Sequence, residues 1–247
     1  MKKILAMFLL FFAAAPLLSS QLYKSMLDGA EENYQIGNYE KTAEIYESLI
    51  KVEKIHNPYL YYNLSNAYYR NGKIGKAVAN IQRAFLLKPS DKEIKHNKHF
   101  LESVSGTKQN EGLLKVFNNI LEICSLNTAT VTASLLLAVF LLFISLYMLK
   151  KNKKFKTAYV VSAVLFLPFA MMLIFKINDE ILTVKAVTIE NIEARSGPGL
   201  NNPEIFNLQE GSVVAVLDKN SGWSYIKSSR ENFEGWVENR RLENING

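Results

Sequence analysis

The chain has 247 residues, 49% of them hydrophobic, and carries a formal net charge of +6 with a single cysteine. One cysteine excludes an intrachain disulfide framework. The charge does not define a nucleic-acid binder, because residues 21–125 sum to +2 and residues 176–247 to −3; the excess sits at Lys2, Lys3 and in the five lysines of residues 150–156.

Residues 1–20 read as a secretory signal. Lys2 and Lys3 precede an apolar run from Ile4 to Ala15, and small residues follow at Ala13, Ala15, Ser19 and Ser20. Cleavage after Ala15 or after Ser20 fits. Retention as an anchor would leave the orientation of the remaining chain unchanged, so residues 21–125 are expected outside the cytoplasm.

Residues 23–91 contain an internal repeat of period 35. Met26 aligns with Tyr61, Ala30 with Ser65, Tyr34 with Tyr69, Gly37 with Gly72, Thr42 with Ala77 and Tyr46 with Ile81. The glycines mark chain reversals, and the small residues let paired helices approach closely. The second copy, Tyr61, Leu64, Ser65, Tyr68, Gly72, Ala77, Ala84 and Pro89, resembles the tetratricopeptide repeat. That resemblance implies a short α-helical solenoid over 21–104, closed by a capping helix from Ser90 or Asp91. It also implies a concave face that takes an extended peptide. The residues on that face would be Tyr62, Asn66, Tyr69 and Arg70 in the second copy, with Glu31, Tyr34 and Gln35 in the first. Ordinary packing or solvation is the competing role for each of them. His96 and His99 share a helical face but lack a third ligand, so no metal site is expected.

Residues 105–125 read as a linker followed by an amphipathic stretch, with Cys124 at its end. Two apolar stretches come next, 126–149 and 157–175, with 24 and 19 residues and no formal charge. As helices they would extend roughly 36 and 28 Å, against a hydrocarbon core of about 30 Å. The lysine-rich loop 150–156 between them is expected in the cytoplasm. Both flanking units would then lie on the outer face of the membrane. No ionisable side chain interrupts either stretch, which argues against a transport pathway.

From Leu182 the pattern changes to short strands broken by turns, as in a small β-barrel. Strands are expected around 184–189, 213–217, 223–226 and 235–237. The motifs Ala194-Arg195-Ser196-Gly197-Pro198, Leu208-Gln209-Glu210-Gly211, Gly222-Trp223-Ser224-Tyr225-Ile226 and Gly235-Trp236-Val237 resemble a bacterial SH3-type domain over 182–247. Trp223 and Trp236 are expected to add apolar area to a very small core. With Arg195 they are also the candidate surface contacts, and the resemblance implies cell-wall peptide as a ligand.

The fold class expected is therefore multidomain α + β: a tetratricopeptide solenoid, a two-helix membrane hairpin and an SH3-like β-barrel. No nucleophile elbow, phosphate loop, metal triad or spaced carboxylate pair is present, so a non-enzymatic protein without cofactors is expected. The order of modules resembles the BatE proteins of the Bacteroides aerotolerance (Bat) operon. That resemblance implies an inner-membrane scaffold with periplasmic domains, working with Bat-type von Willebrand A membrane proteins in stress tolerance. A cell-wall sensor with peptidoglycan contact is the alternative.

Overall fold

The computed structural model describes residues 21–53, 57–106, 122, 124–228 and 233–246. The expected signal sequence and residues 107–121 of the expected linker and amphipathic stretch lie outside the described residues. Five helices come first: α1 (21–35), α2 (Tyr39–Glu53), α3 (Pro58–Arg70), α4 (Ile74–Leu87) and α5 (Lys92–Val104).

The 35-residue period is visible in the backbone. Gly37 and Gly72 have φ of 80° and 74°. Each lies just past a helix end closed by a pair of reverse bonds. Gly37 N–H donates to Tyr34 O at 3.1 Å and Asn38 N–H to Asn33 O at 2.8 Å. The second copy matches, with Gly72 to Tyr69 at 3.0 Å and Lys73 to Tyr68 at 2.9 Å. This Schellman geometry puts a left-handed residue just past the helix, where a Cβ would be strained. A hydroxyl ties each helix pair together, but from opposite sides. Thr42 Oγ1 divides its proton between Asn38 O at 3.0 Å and Ala30 O at 3.4 Å in the first copy, and Ser65 donates to Ala77 O at 2.7 Å in the second. All four residues are fully buried. A longer side chain at any of them would push the pair apart.

Side-chain caps set the starts of α3 and α5. Asn57 accepts from Tyr59 N–H at 2.9 Å, with Pro58 in the first turn of α3. Asp91 accepts from Glu93 and Ile94 N–H, starting α5.

Two 25-residue helices come next, α6 (Leu126–Lys150) and α7 (Lys153–Ile177). Both are long and apolar enough to cross a membrane. They pack together through Phe140 on Phe166 and Tyr147 on Tyr159. Their outward positions, such as Val131, Leu135, Val164 and Leu167, are apolar and exposed. The expected seven-residue loop is shorter. Lys151, at φ 47°, and Asn152, which accepts from Lys154 N–H, suffice to reverse the chain. The other loop lysines have joined the helix ends.

A π-helical turn, Asn178–Leu182, runs from α7 into the β domain. Its strands are β1 (Val184–Thr188), β2 (Ile192–Arg195), β3 (Glu204–Leu208), β4 (Val213–Asn220), β5 (Trp223–Ser228), β6 (Phe233–Glu238) and β7 (Leu242–Asn244). They form one antiparallel sheet in the order β3-β2-β6-β5-β4-β1-β7. The strand pairing is open, with β3 and β7 at the ends, in place of the closed barrel that the sequence pattern suggests. β2, β3 and β7 are strands beyond the four expected from that pattern.

The buried cluster of the β domain is Ala186, Ile192, Ala194, Leu208, Val214, Ile226 and Val237. The tryptophans are not in it, contrary to expectation. Strand parity explains this. Ser224, Ile226, Gly235 and Val237 point inward, so Trp223, Tyr225 and Trp236 are half-buried on the opposite face.

The helical unit and the β domain touch. Val187 and Ile245 belong to the same buried cluster as Leu49, Ile81 and Val78, and Val213 packs against it. Arg83 of α4 donates to Glu243 at 2.7 Å and to the carbonyl of Asn244.

Candidate functional site

Helices α1, α3 and α5 bring most of the candidate groove residues together. Tyr34 neighbours the exposed guanidinium of Arg70, and that interaction raises the Arg70 pKa above its ordinary value. Tyr34 also meets Tyr39 edge-on at 5.2 Å. Asn66 accepts from Asn97 at 3.0 Å, and Tyr69 packs edge-on against Phe100 at 5.3 Å. Tyr62 is half-buried and packs on the helical core. Glu31 accepts from Gln35 at 2.6 Å in an exposed pair. The result is a strip of aromatic rings and amides running from α1 to α5. Sequence reasoning misses Asn97 and Phe100; the signal for them is the continuation of the helical spacing into the capping helix.

Behind this strip, Tyr68 donates to Glu47 across α3 and α2, and Lys51 pairs with the same carboxylate at 3.1 Å. Burial raises the Tyr68 pKa, and the Glu47 bond raises it further. Burial alone would raise Glu47, but the bonds from Tyr68 and Lys51 outweigh it and hold the carboxyl below its ordinary 4.5. Glu122 is likewise depressed: burial opposes, and Lys98 and Lys95 prevail. A lowered carboxylate pKa contributes stability that is full above 4.5 and is lost as pH falls through the depressed value. Thermal melts of the detergent-solubilised chain should therefore drop steeply below about pH 4. Glu47→Gln should flatten that acid-side slope; an unchanged slope would dismiss the tie as a stabiliser.

On the β domain, Arg195 does not present a free cation. Its side chain is 14% exposed. It donates to the carbonyls of Leu200 and Asn202, each at 2.9 Å, and pairs with Glu193 at 2.7 Å and Glu204 at 3.0 Å. These bonds pin the 196–203 loop. Arg195 lies directly opposite Trp236, and Trp236 lies opposite Tyr225, the two rings 5.2 Å apart. Trp223 sits two residues before Tyr225 on the same strand face. The aromatic face is edged by Glu234, which accepts from Tyr225 at 3.0 Å and Lys227 at 2.7 Å. Lys227, then Tyr225, hold Glu234 below its ordinary pKa.

Among the described residues no group of three or more His, Cys, Asp or Glu side chains is placed to hold a metal. His99 lies 3.4 Å from Glu102, and Cys124 is half-buried.

Residues 190–243 match the family described as bacterial SH3 domain. The matched segment follows two helices apolar enough to cross a membrane. No curated protein matches the chain. The matched segment begins after β1 and ends before Asn244.

Proposed function

We propose that the protein is a non-enzymatic adaptor of the bacterial envelope. It is fixed to the inner membrane by α6 and α7, with both folded units on the outer side and the lysine turn in the cytoplasm. Residues 21–104 act as a tetratricopeptide-type solenoid whose concave strip captures an extended segment of a partner protein. The observation that carries this reading is the alignment of Tyr34–Arg70, Asn66–Asn97 and Tyr69–Phe100 along the face of α1, α3 and α5. Amides and rings held in place at regular spacing suit a peptide backbone and its side chains. The order of modules supports membership of a Bat-type stress-tolerance assembly, with von Willebrand A membrane proteins as partners.

Changing Asn66→Ala and Arg70→Ala together should reduce partner recovery in a crosslinking pull-down from membranes by at least tenfold, about 1.4 kcal/mol. Helical circular dichroism should be unchanged. Undiminished recovery would rule out the groove as the capture surface.

The aromatic face of Trp223, Tyr225 and Trp236 favours a second reading, a wall-peptide sensor. Purified full-length protein in detergent should then sediment with peptidoglycan and lose that retention on Trp236→Ala. Wild-type protein left in the supernatant would exclude it.

A further inference from the structure

We propose that α4 is the seat of the β domain and is completed by it, so that the two folded units act as one body on one side of the membrane. Helix α4 begins with a defect. In the first copy of the repeat, Asn38 caps its own helix by accepting from Lys41 N–H at 3.3 Å, and Glu40 lies in the first turn. Thirty-five residues on, these positions are Lys73 and Gly75. Lys73 makes no side-chain cap bond, and the first turn of α4 has no acidic residue. The Lys73 ammonium turns to Glu40 at 3.2 Å instead. A helix beginning this way leaves its first N–H groups and its positive end unanswered.

The β domain supplies the missing group. Glu210 Oε1 accepts from Gly75 N–H at 2.7 Å, across 135 residues of sequence. Glycine at 75 is what permits this approach. A Cβ there would lie 2.3 Å from the carbonyl oxygen of Thr188 and 2.7 Å from Ile189 Cα. The partner turn is equally tight. Gly211, at φ +85°, donates to Thr188 O at 2.8 Å, and a Cβ on it would lie 2.6 Å from that of Ser105. Arg83 closes the far end of the contact on Glu243 and Asn244. Val187, Thr188, Ile189, Asn244 and Ile245 lie outside the matched SH3 segment, so much of the seat is built from what this chain adds to that domain.

Hydrogen exchange on the full chain in nanodiscs tests the cap. Glu210→Ala should speed exchange in residues 74–80 roughly five- to tenfold. Adding Lys73→Asn should restore protection there, because the helix then caps itself as Asn38 caps the first copy. Unchanged exchange in Glu210→Ala, or no recovery in the double variant, overturns the proposal. Should Glu210→Ala fail to fold, the swap Arg83→Glu with Glu243→Arg serves instead. Each single change should expose 184–189, and the pair should recover at least part of the protection; additive losses overturn it.

Sidedness is read separately. With Cys124→Ser as background, cysteines at Tyr59 and Leu217, both exposed, should react alike with an impermeant thiol reagent on intact spheroplasts. Labelling of one alone overturns the one-body proposal. Protection of both until lysis keeps it and sinks only the outward orientation of the proposed adaptor.

Discussion

Gly75→Leu should detach the β domain from the helical unit. Even the first carbon of the new side chain would sit 2.3 Å from a backbone oxygen, and no rotamer change relieves a clash with backbone. Two effects oppose each other. Replacing glycine inside a helix favours the helix by up to about 1 kcal/mol. Overpacking a close contact costs about 1–3 kcal/mol, and here it also removes the Glu210 cap, worth about 1 kcal/mol. The loss prevails. In detergent-solubilised full-length protein, one shared thermal transition should split into two, with the β domain melting first. Gly75→Ala should fall between wild type and Gly75→Leu. A single unshifted transition for Gly75→Leu would mean that the contact adds nothing.

Ile226→Ala should unfold the β domain altogether. Ile226 is fully buried in the middle of β5, in a core of seven residues of which two are already alanine. Truncations of this kind cost about 2–5 kcal/mol, and a domain of roughly 60 residues has little stability in reserve. The near-ultraviolet signal of Trp223 and Trp236 should collapse while most of the helical signal survives. Residues 74–80 should lose exchange protection at the same time, because the acceptor of their cap has gone. Retention of the tryptophan signal at 37 °C would show that the sheet draws its stability from elsewhere.

The helical half was largely legible because its geometry rests on residues that advertise themselves. Gly37 and Gly72 are 35 apart, and so are their left-handed backbones. The Thr42–Ala30 and Ser65–Ala77 ties reuse the same two positions with donor and acceptor exchanged. At these positions the first copy turns and ties as the second does. The sheet was less legible. In β3 only Leu208 is fully buried, so its alternation is faint, and β7 has three residues. Tryptophan content says how much apolar area exists but not where it points. The parity of Ser224 and Ile226 turns Trp223 and Tyr225 outward. Of the candidate contacts, Asn66, Tyr69, Arg70 and Tyr34 gather on one face, while Arg195 proves to be spent on its own loop. The α4 contact left only one mark in the sequence, a lysine where a cap belongs. Nothing local points to an acceptor 135 residues away.

The join between α7 and the β domain limits how far that domain can reach. Lys176 pairs with Glu180 at 2.6 Å and Lys185 with Asp179 at 2.6 Å. Asn246 bonds Glu180 O at 2.6 Å, Thr183 O at 2.9 Å and Lys185 N–H at 2.7 Å. A loose ten-residue leash would let a domain wander about 33 Å; this one is bolted to its stalk. With α7 spanning a bilayer, a domain fixed in this way keeps one height and one orientation over the lipid and sweeps no volume around its anchor. Any ligand of its aromatic face has to come within that fixed radius, because the domain cannot swing out to meet it.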